Sequence, residues 1–209
     1  MKEFKTYLFD FDGTLVNSYE SLVLVFSGAY SKVGVKVPDG YVLHLMRCPL
    51  DVGYEELHGP KDEKSVEIFS KEIIRLLDDV EVLKATKAYE EVISFVKEMK
   101  KRGMTLGIVT SNNQKHVKDV LHFLNIDESN FSIIVGNKET KRHKPYADPI
   151  LKGLELLNIS KEEVCYVGDA LDDVRCAINA NVTPILVDRN NEYNDINEYI
   201  KIKNLLELL

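Results

Sequence analysis

Apolar residues recur along the chain with two different periods, and the switch between them predicts the architecture. The run KTYLFDFDGTL, from Lys5 to Leu15, begins as a short apolar strand and breaks at Gly13. Over 19–33, Leu22, Val25, Phe26, Ala29 and Val33 follow at helical spacing. Val66, Phe69, Ile73 and Leu77 do the same over 62–79, behind an N-cap candidate at Asp62. No strand-like run separates them, so 16–80 reads as a purely helical block. Beyond it, helix and strand alternate. A helix over 86–102 runs through Tyr89, Val92, Ile93, Val96 and Met99 and closes on Lys100, Lys101 and Arg102 before Gly103. That ending suits a negative helix C-terminus and a left-handed stop. Strands over 104–109, 131–135, 164–167 and 184–187 then alternate with helices through Val117–Leu124, Ile150–Leu157 and 172–180. Short apolar strands alternating with helices predict an α/β protein whose parallel sheet is covered on both faces. The helical block interrupts that alternation directly after the first strand. Residues 190–197 are polar and read as a loop.

Composition narrows the function classes. The chain has 209 residues, 44% hydrophobic and 29% charged, as expected of a globular domain with one insert. With 27 Lys and Arg against 34 Asp and Glu, the formal net charge is −7. This argues against a nucleic-acid partner, whose phosphates are met by clustered Lys and Arg. No run reaches ~18 apolar residues, so no membrane span is expected. Asp10 and Asp12 interrupt the first apolar stretch, which argues against a signal peptide. Three cysteines, Cys48, Cys165 and Cys176, form no CxxC pair, and the expected location is a reducing cytoplasm.

In parallel sheets the ligand crevice lies beyond the carboxyl ends of the strands. The first strand ends at Asp10 with Asp12 two residues on; the second at Thr110, before Ser111 and Asn112. The loop after the third carries Lys144, and the fourth ends at Gly168-Asp169 with Asp172 and Asp173 behind. At any single site an Asp after a strand is ordinarily a turn former or an N-cap. Four such ends together point to phosphate chemistry. Converging carboxylates repel by roughly 4 kcal/mol per pair at an effective dielectric of 20, so the cluster calls for a cation. All-oxygen ligands suit Mg²⁺. Asp10 is ionised at neutral pH and can attack phosphorus without a base. Asp12 can protonate the leaving oxygen and then activate water. Gly13 gives the turn beside them its freedom.

The run Asp10-Phe11-Asp12-Gly13-Thr14-Leu15 with Asn17-Ser18 resembles the first motif of the haloacid dehalogenase superfamily. Thr110 resembles the second motif, Lys144-Pro145 the third, and Gly168-Asp169-Ala170-Leu171-Asp172-Asp173 the fourth. The resemblance implies a Rossmann-like core from 1–15 and 81–209, with an all-helical cap inserted at 16–80. It implies Asp10 as nucleophile and Asp12 as general acid and base. Thr110 would hydrogen-bond the phosphoryl oxygens, and Lys144 would neutralise nucleophile and phosphate. Mg²⁺ would sit on Asp10, the carbonyl of Asp12, and Asp169, with Asp173 supporting it directly or through water. Ser111, Asn112 and Gly13 belong to the expected substrate-binding set. So does Arg47, in the non-helical stretch Arg47-Cys48-Pro49-Leu50 where related caps carry a specificity loop; a solvated surface role suits Arg47 equally well. Thr14 reads as a helix start, Asp172 as outside the metal shell, and His44, His58, His116, His122 and His143 as structural.

The expected activity is Mg²⁺-dependent hydrolysis of a small phosphate monoester through an aspartyl-phosphate, of the phosphoglycolate phosphatase type. Phosphoglycolate, sugar phosphates, nucleoside monophosphates and pyrophosphate all stay open as substrates. Asp12 argues against a C–Cl hydrolase, and no local feature supports Lys32 or Lys36 as a Schiff-base lysine of a phosphonate hydrolase. A sugar-phosphate mutase uses the same four motifs. A phospho-Asp signalling receiver has no use for a helical insert.

Overall fold

The computed structural model describes residues 4–47, 50–59, 62–196 and 198–209, with the backbone alone at Arg47. In chain order the elements are β1 (Thr6–Phe9), β2 (Val16–Asn17), α1 (Tyr19–Lys32), α2 (Val42–Arg47), α3 (Leu50–His58), α4 (Glu63–Leu77) and α5 (Val80–Ala85). There follow β3 (Lys87–Ala88), α6 (Val92–Lys101), β4 (Thr105–Val109), α7 (Gln114–Phe123), β5 (Ile133–Val135) and α8 (Asp148–Leu157). The chain ends with β6 (Val164–Gly168), α9 (Leu171–Asn179), β7 (Thr183–Val187) and β8 (Ile200–Ile202). It divides into two compact units, Met1–Val16 with Ala88–Leu209, and Asn17–Lys87. The two chain passages between them are the short strands β2 and β3, which pair with each other.

The α/β unit is a six-stranded sheet of order β5-β4-β1-β6-β7-β8. Every pairing in it is parallel, with Phe9 level with Ile108 on one side and Val167 on the other. β1, β4 and β6 are apolar runs because helices bury both faces of the sheet. On one face Leu8, Val109, Tyr166, Ile150, Leu154 and Cys176 form a continuous core. On the other, Phe9 meets Phe95 of α6 edge to face, with ring centroids 5.7 Å apart. Cys165 and Cys176 are free and buried.

The second unit is built on α1 packed against α4 and α5. Its core gathers Phe26, Ala29, Tyr30, Tyr54 and Phe69, with the Tyr30 and Phe69 rings 4.7 Å apart. Asp62 caps α4 as its position suggests: its side chain accepts the Ser65 N–H at 2.8 Å. Among the described residues, no helix is long and apolar enough to cross a membrane.

Several boundaries differ from the pattern-based reading, each for a local reason. The helical unit runs on to Lys87 rather than Val80, because α5 packs on α1 and α4. The helix expected over 86–102 starts only at Val92. Tyr89–Glu91 turn first, with Val92 N bonding Tyr89 O at 3.0 Å, and Arg189 covers the Tyr89 ring. Phe131 closes a 3₁₀ turn through its N–H to Glu128 O, so β5 begins at Ile133. Ile200–Ile202, unassigned in the polar tail, adds the edge strand β8, with Asp188 N bonding Ile202 O at 2.8 Å. Arg47 closes α2 and Leu50 opens α3, so both ends of the stretch expected to be non-helical are helical. Cys48, Pro49 and the Arg47 side chain lie outside the described residues.

Candidate active site

Three neighbouring strands deliver the candidate residues to one edge of the sheet. β1 leads directly into Asp10, whose N–H bonds Val167 O at 2.8 Å. β4 leads directly into Thr110, whose N–H bonds Val135 O at 2.9 Å. β6 ends at Gly168, before Asp169. After Asp10 the chain folds into a tight turn: Leu15 and Val16 N–H groups reach Phe11 O, and Gly13 N–H reaches Val16 O at 2.7 Å. Gly13 has φ +83°, and a Cβ there would lie 2.3 Å from Asp169 Oδ2. The glycine thus lets the turn approach the Asp169 carboxylate.

Asp10, Asp169 and Asp173 each offer a carboxylate oxygen, all within 4.8 Å of one another. Lys144 is bound among them, its Nζ 2.7 Å from Asp10 Oδ1 and 2.7 Å from Asp173 Oδ1. Asp173 lies in the first turn of α9, where the helix dipole favours negative charge. Its Oδ2 accepts the Ala170 N–H at 3.0 Å. Tyr166 donates its hydroxyl to Val109 O at 2.7 Å and stands 3.3 Å from Asp173 Oδ1. Asp12 is held elsewhere: its Oδ2 accepts from Asn112 Nδ2 at 3.1 Å, and Asn112 N donates to Thr110 Oγ1 at 3.1 Å. Thr110 is buried and Ser111 is exposed.

The electrostatics follow from packing three carboxylates around one ammonium. Burial raises Asp10 well above the usual carboxylate range; Lys144 opposes that rise, while Asp173 and Asp169 add to it. Asp169 is pushed up to about 7, first by burial and then by Asp173. Burial alone would lower Lys144, but Asp10 and Asp173 outweigh it and hold the ammonium well above its ordinary value. Lys144 is therefore charged at neutral pH, and the cluster keeps an excess of negative charge that favours a proton or a cation. The donor set, carboxylate oxygens without imidazole or thiolate, fits a hard divalent ion such as Mg²⁺.

Of the residues singled out in the sequence, Asp10, Asp169, Asp173 and Lys144 come together directly. Asp12, Thr110 and Asn112 form a second, linked group, and Gly13 shapes the turn between them. Asp172 instead pairs with Arg175 at 2.9 Å, away from the cluster. His143, Lys32 and Lys36 are exposed, His116 is buried, and His44 pairs with Glu56 at 2.6 Å. Three residues escaped the sequence reading. Thr14 is fully buried and donates its hydroxyl to Asp169 Oδ1 at 3.3 Å. Tyr166 supports Asp173 from within an apolar strand, where it looks like an ordinary core aromatic. Arg189 bonds the carbonyl of Thr14 at 3.0 Å.

The haloacid dehalogenase-like hydrolase family model matches residues 7–187. The chain belongs to this family. Within it, pyrophosphatase PpaX of Bacillus cereus (strain B4264) is 30% identical over 179 residues, covering 84% of this chain and 79% of that protein. Pyrophosphatase PpaX of Halalkalibacterium halodurans is 29% identical over 189 residues, covering 88% of this chain and 84% of the other. Among solved structures, a haloacid dehalogenase-like protein from Bacteroides fragilis superposes with a TM-score of 0.88 at 24% identity, covering 99% and 100% of the two chains. The likeness of fold to that structure covers 99% of this chain, and the α/β core with its parallel sheet is that of the family.

Proposed function

We propose that this chain is a Mg²⁺-dependent phosphatase that hydrolyses a small phosphorylated molecule through phospho-Asp10. One observation carries the reading: Asp10 stands at the end of the central strand β1, bonded to Lys144, with two further carboxylates within 4.8 Å. The pyrophosphatase names of the relatives in Bacillus cereus and Halalkalibacterium halodurans support phosphoryl chemistry and favour pyrophosphate among the candidate substrates.

In this reading Asp10 attacks phosphorus, the bond from phosphorus to the leaving oxygen breaks, and Asp12 gives that oxygen its proton. Asp12, now a carboxylate, takes a proton from water as the water attacks the phospho-Asp10 phosphorus. Inorganic phosphate leaves, and both carboxyl groups return to their starting states. Lys144 offsets negative charge on Asp10 and the transferring group. The Thr110 hydroxyl, with Ser111, Asn112 and the Gly13 turn, binds the phosphoryl oxygens. Asp10, Asp169 and Asp173, with the Asp12 carbonyl, would hold Mg²⁺, which supplies charge neutralisation for the attack of one anion on another. The helical unit acts as a cap that excludes water and selects substrate, with Arg47 in the substrate-binding set. The location is cytoplasmic.

The test is phosphate release across phosphoglycolate, sugar phosphates, nucleoside monophosphates and pyrophosphate, with Mg²⁺ and with EDTA. Release that disappears on chelation is expected. Isomerised sugar phosphate without net release would replace the phosphatase with a mutase, and activity untouched by EDTA would refute the metal requirement.

A further inference from the structure

Arg189 follows β7, and its side chain is only 15% exposed. It engages three groups at once. Its Nη1 lies 2.6 Å from Glu91 Oε1, its Nη2 donates to Thr14 O at 3.0 Å, and its plane sits 3.6 Å from the centroid of the Tyr89 ring. Glu91 is also largely buried, at 12%, and its Oε1 further accepts the Leu205 N–H at 3.5 Å. The Tyr89 N–H reaches Leu15 O at 3.4 Å, tying the same group to the residue after Thr14. A buried, paired guanidinium contributes little net stability, since desolvation offsets most of the attraction. What its fork geometry does provide is direction: two donors fixed in one plane hold Thr14 O relative to Glu91.

Thr14 is the link to the carboxylate cluster. It has no solvent exposure, and its hydroxyl donates to Asp169 Oδ1 at 3.3 Å, close to the outer limit of a hydrogen bond. A shift of a few tenths of an ångström in the Thr14 backbone is enough to break it. We infer that Arg189 is a positioning residue for Asp169, acting through Thr14: the guanidinium fixes the Thr14 carbonyl, and the fixed turn aims the Thr14 hydroxyl at the carboxylate. This rests on the reading of Asp169 as a metal-holding group.

Metal affinity of the full chain without substrate tests it, read by electron paramagnetic resonance with Mn²⁺ as the probe. Thr14→Val removes only the hydroxyl and is expected to weaken Mn²⁺ binding about tenfold, the size of effect seen when a partner of a metal ligand is lost. Arg189→Lys keeps the charge for Glu91 but loses the fork. It should weaken binding several-fold, and the Thr14→Val/Arg189→Lys double variant should be no weaker than Thr14→Val alone. Arg189→Lys with wild-type Mn²⁺ affinity, losses that multiply in the double variant, or a wild-type chain that binds no Mn²⁺ would each overturn the inference. Phosphate release is measured separately. A wild-type chain with the expected Mn²⁺ pattern but no phosphate release refutes the phosphatase and leaves the Arg189 assignment standing.

Discussion

Replacing Lys144 by Met tests the electrostatics of the site most directly. The side chain keeps its unbranched stem and loses its charged tip, leaving Asp10 and Asp173 without the ammonium that lies 2.7 Å from each. Removing one partner of a buried ion pair costs about 3–5 kcal/mol, because the other charge stays desolvated and unpaired. For a protein of this size that corresponds to a fall in Tm of roughly 10 °C. The loss should depend on pH. Asp169 in the intact protein has its pKa raised from 3.8 to about 7, and Asp10 is also raised. Groups raised on folding contribute stability that is fully present below their unfolded pKa and is lost as pH rises through the folded one. Lys144, raised from 10.5, contributes throughout that range. Without it, protonation of the carboxylates is the one remaining relief. The stability difference between wild type and Lys144→Met should therefore be small near pH 4 and grow to its full size by pH 8. Urea denaturation in EDTA at pH 4, 6 and 8 measures this. A difference that is flat with pH, or under about 1 kcal/mol at pH 8, the worth of an exposed pair, refutes the argument.

The other expectations are more local. Asp10→Asn should abolish phosphate release while leaving the thermal melt within a few degrees of wild type; turnover by this variant would remove Asp10 as nucleophile. Gly13→Ala places a Cβ 2.3 Å from Asp169 Oδ2 at φ +83°. It should cost at least about 1–2 kcal/mol, by chemical denaturation, and weaken Mn²⁺ binding; unchanged binding would mean that the close approach has no bearing on the carboxylate. Asp62→Ala removes the acceptor for Ser65 N–H at the start of α4. It should destabilise the chain by about 1 kcal/mol, with phosphate release at 25 °C unchanged, and a loss of activity there would tie the cap helix to the chemistry more closely than packing predicts.

How far the fold could be read in advance depended on length and burial. β1, β4 and β6 are unbroken apolar runs because both faces of the sheet are covered, and such runs stand out against any background. Helices α4, α6, α7 and α8 carry one apolar stripe over ten to fifteen residues. By contrast α2, α3 and α5 span six to nine residues, too few turns for a stripe to repeat. β8 hides for another reason: Ile200, Lys201 and Ile202 make an edge strand, visible only through its pairing with β7.

The site divides along a similar line. Asp10, Lys144 and Asp169 were legible because they stand where strand or loop punctuation changes and because acidic groups in sequence register imply convergence. Thr14 and Arg189 were not, since what they do is set by partners 155 and 175 positions away. Charge connects the two halves. Asp10, Asp12, Asp169 and Asp173 account for four of the seven excess formal negative charges; three of them lie together, and two of those three are bonded to a single ammonium. A net charge of −7 looks hostile to an anionic substrate only if it is spread evenly over the surface. Concentrated as it is, the excess does not repel phosphate as a surface would. It sets up a local deficit of positive charge, which Lys144 offsets only in part; under the proposed function, a cation held by the same carboxylates would complete the balance and let this sheet edge take a phosphate.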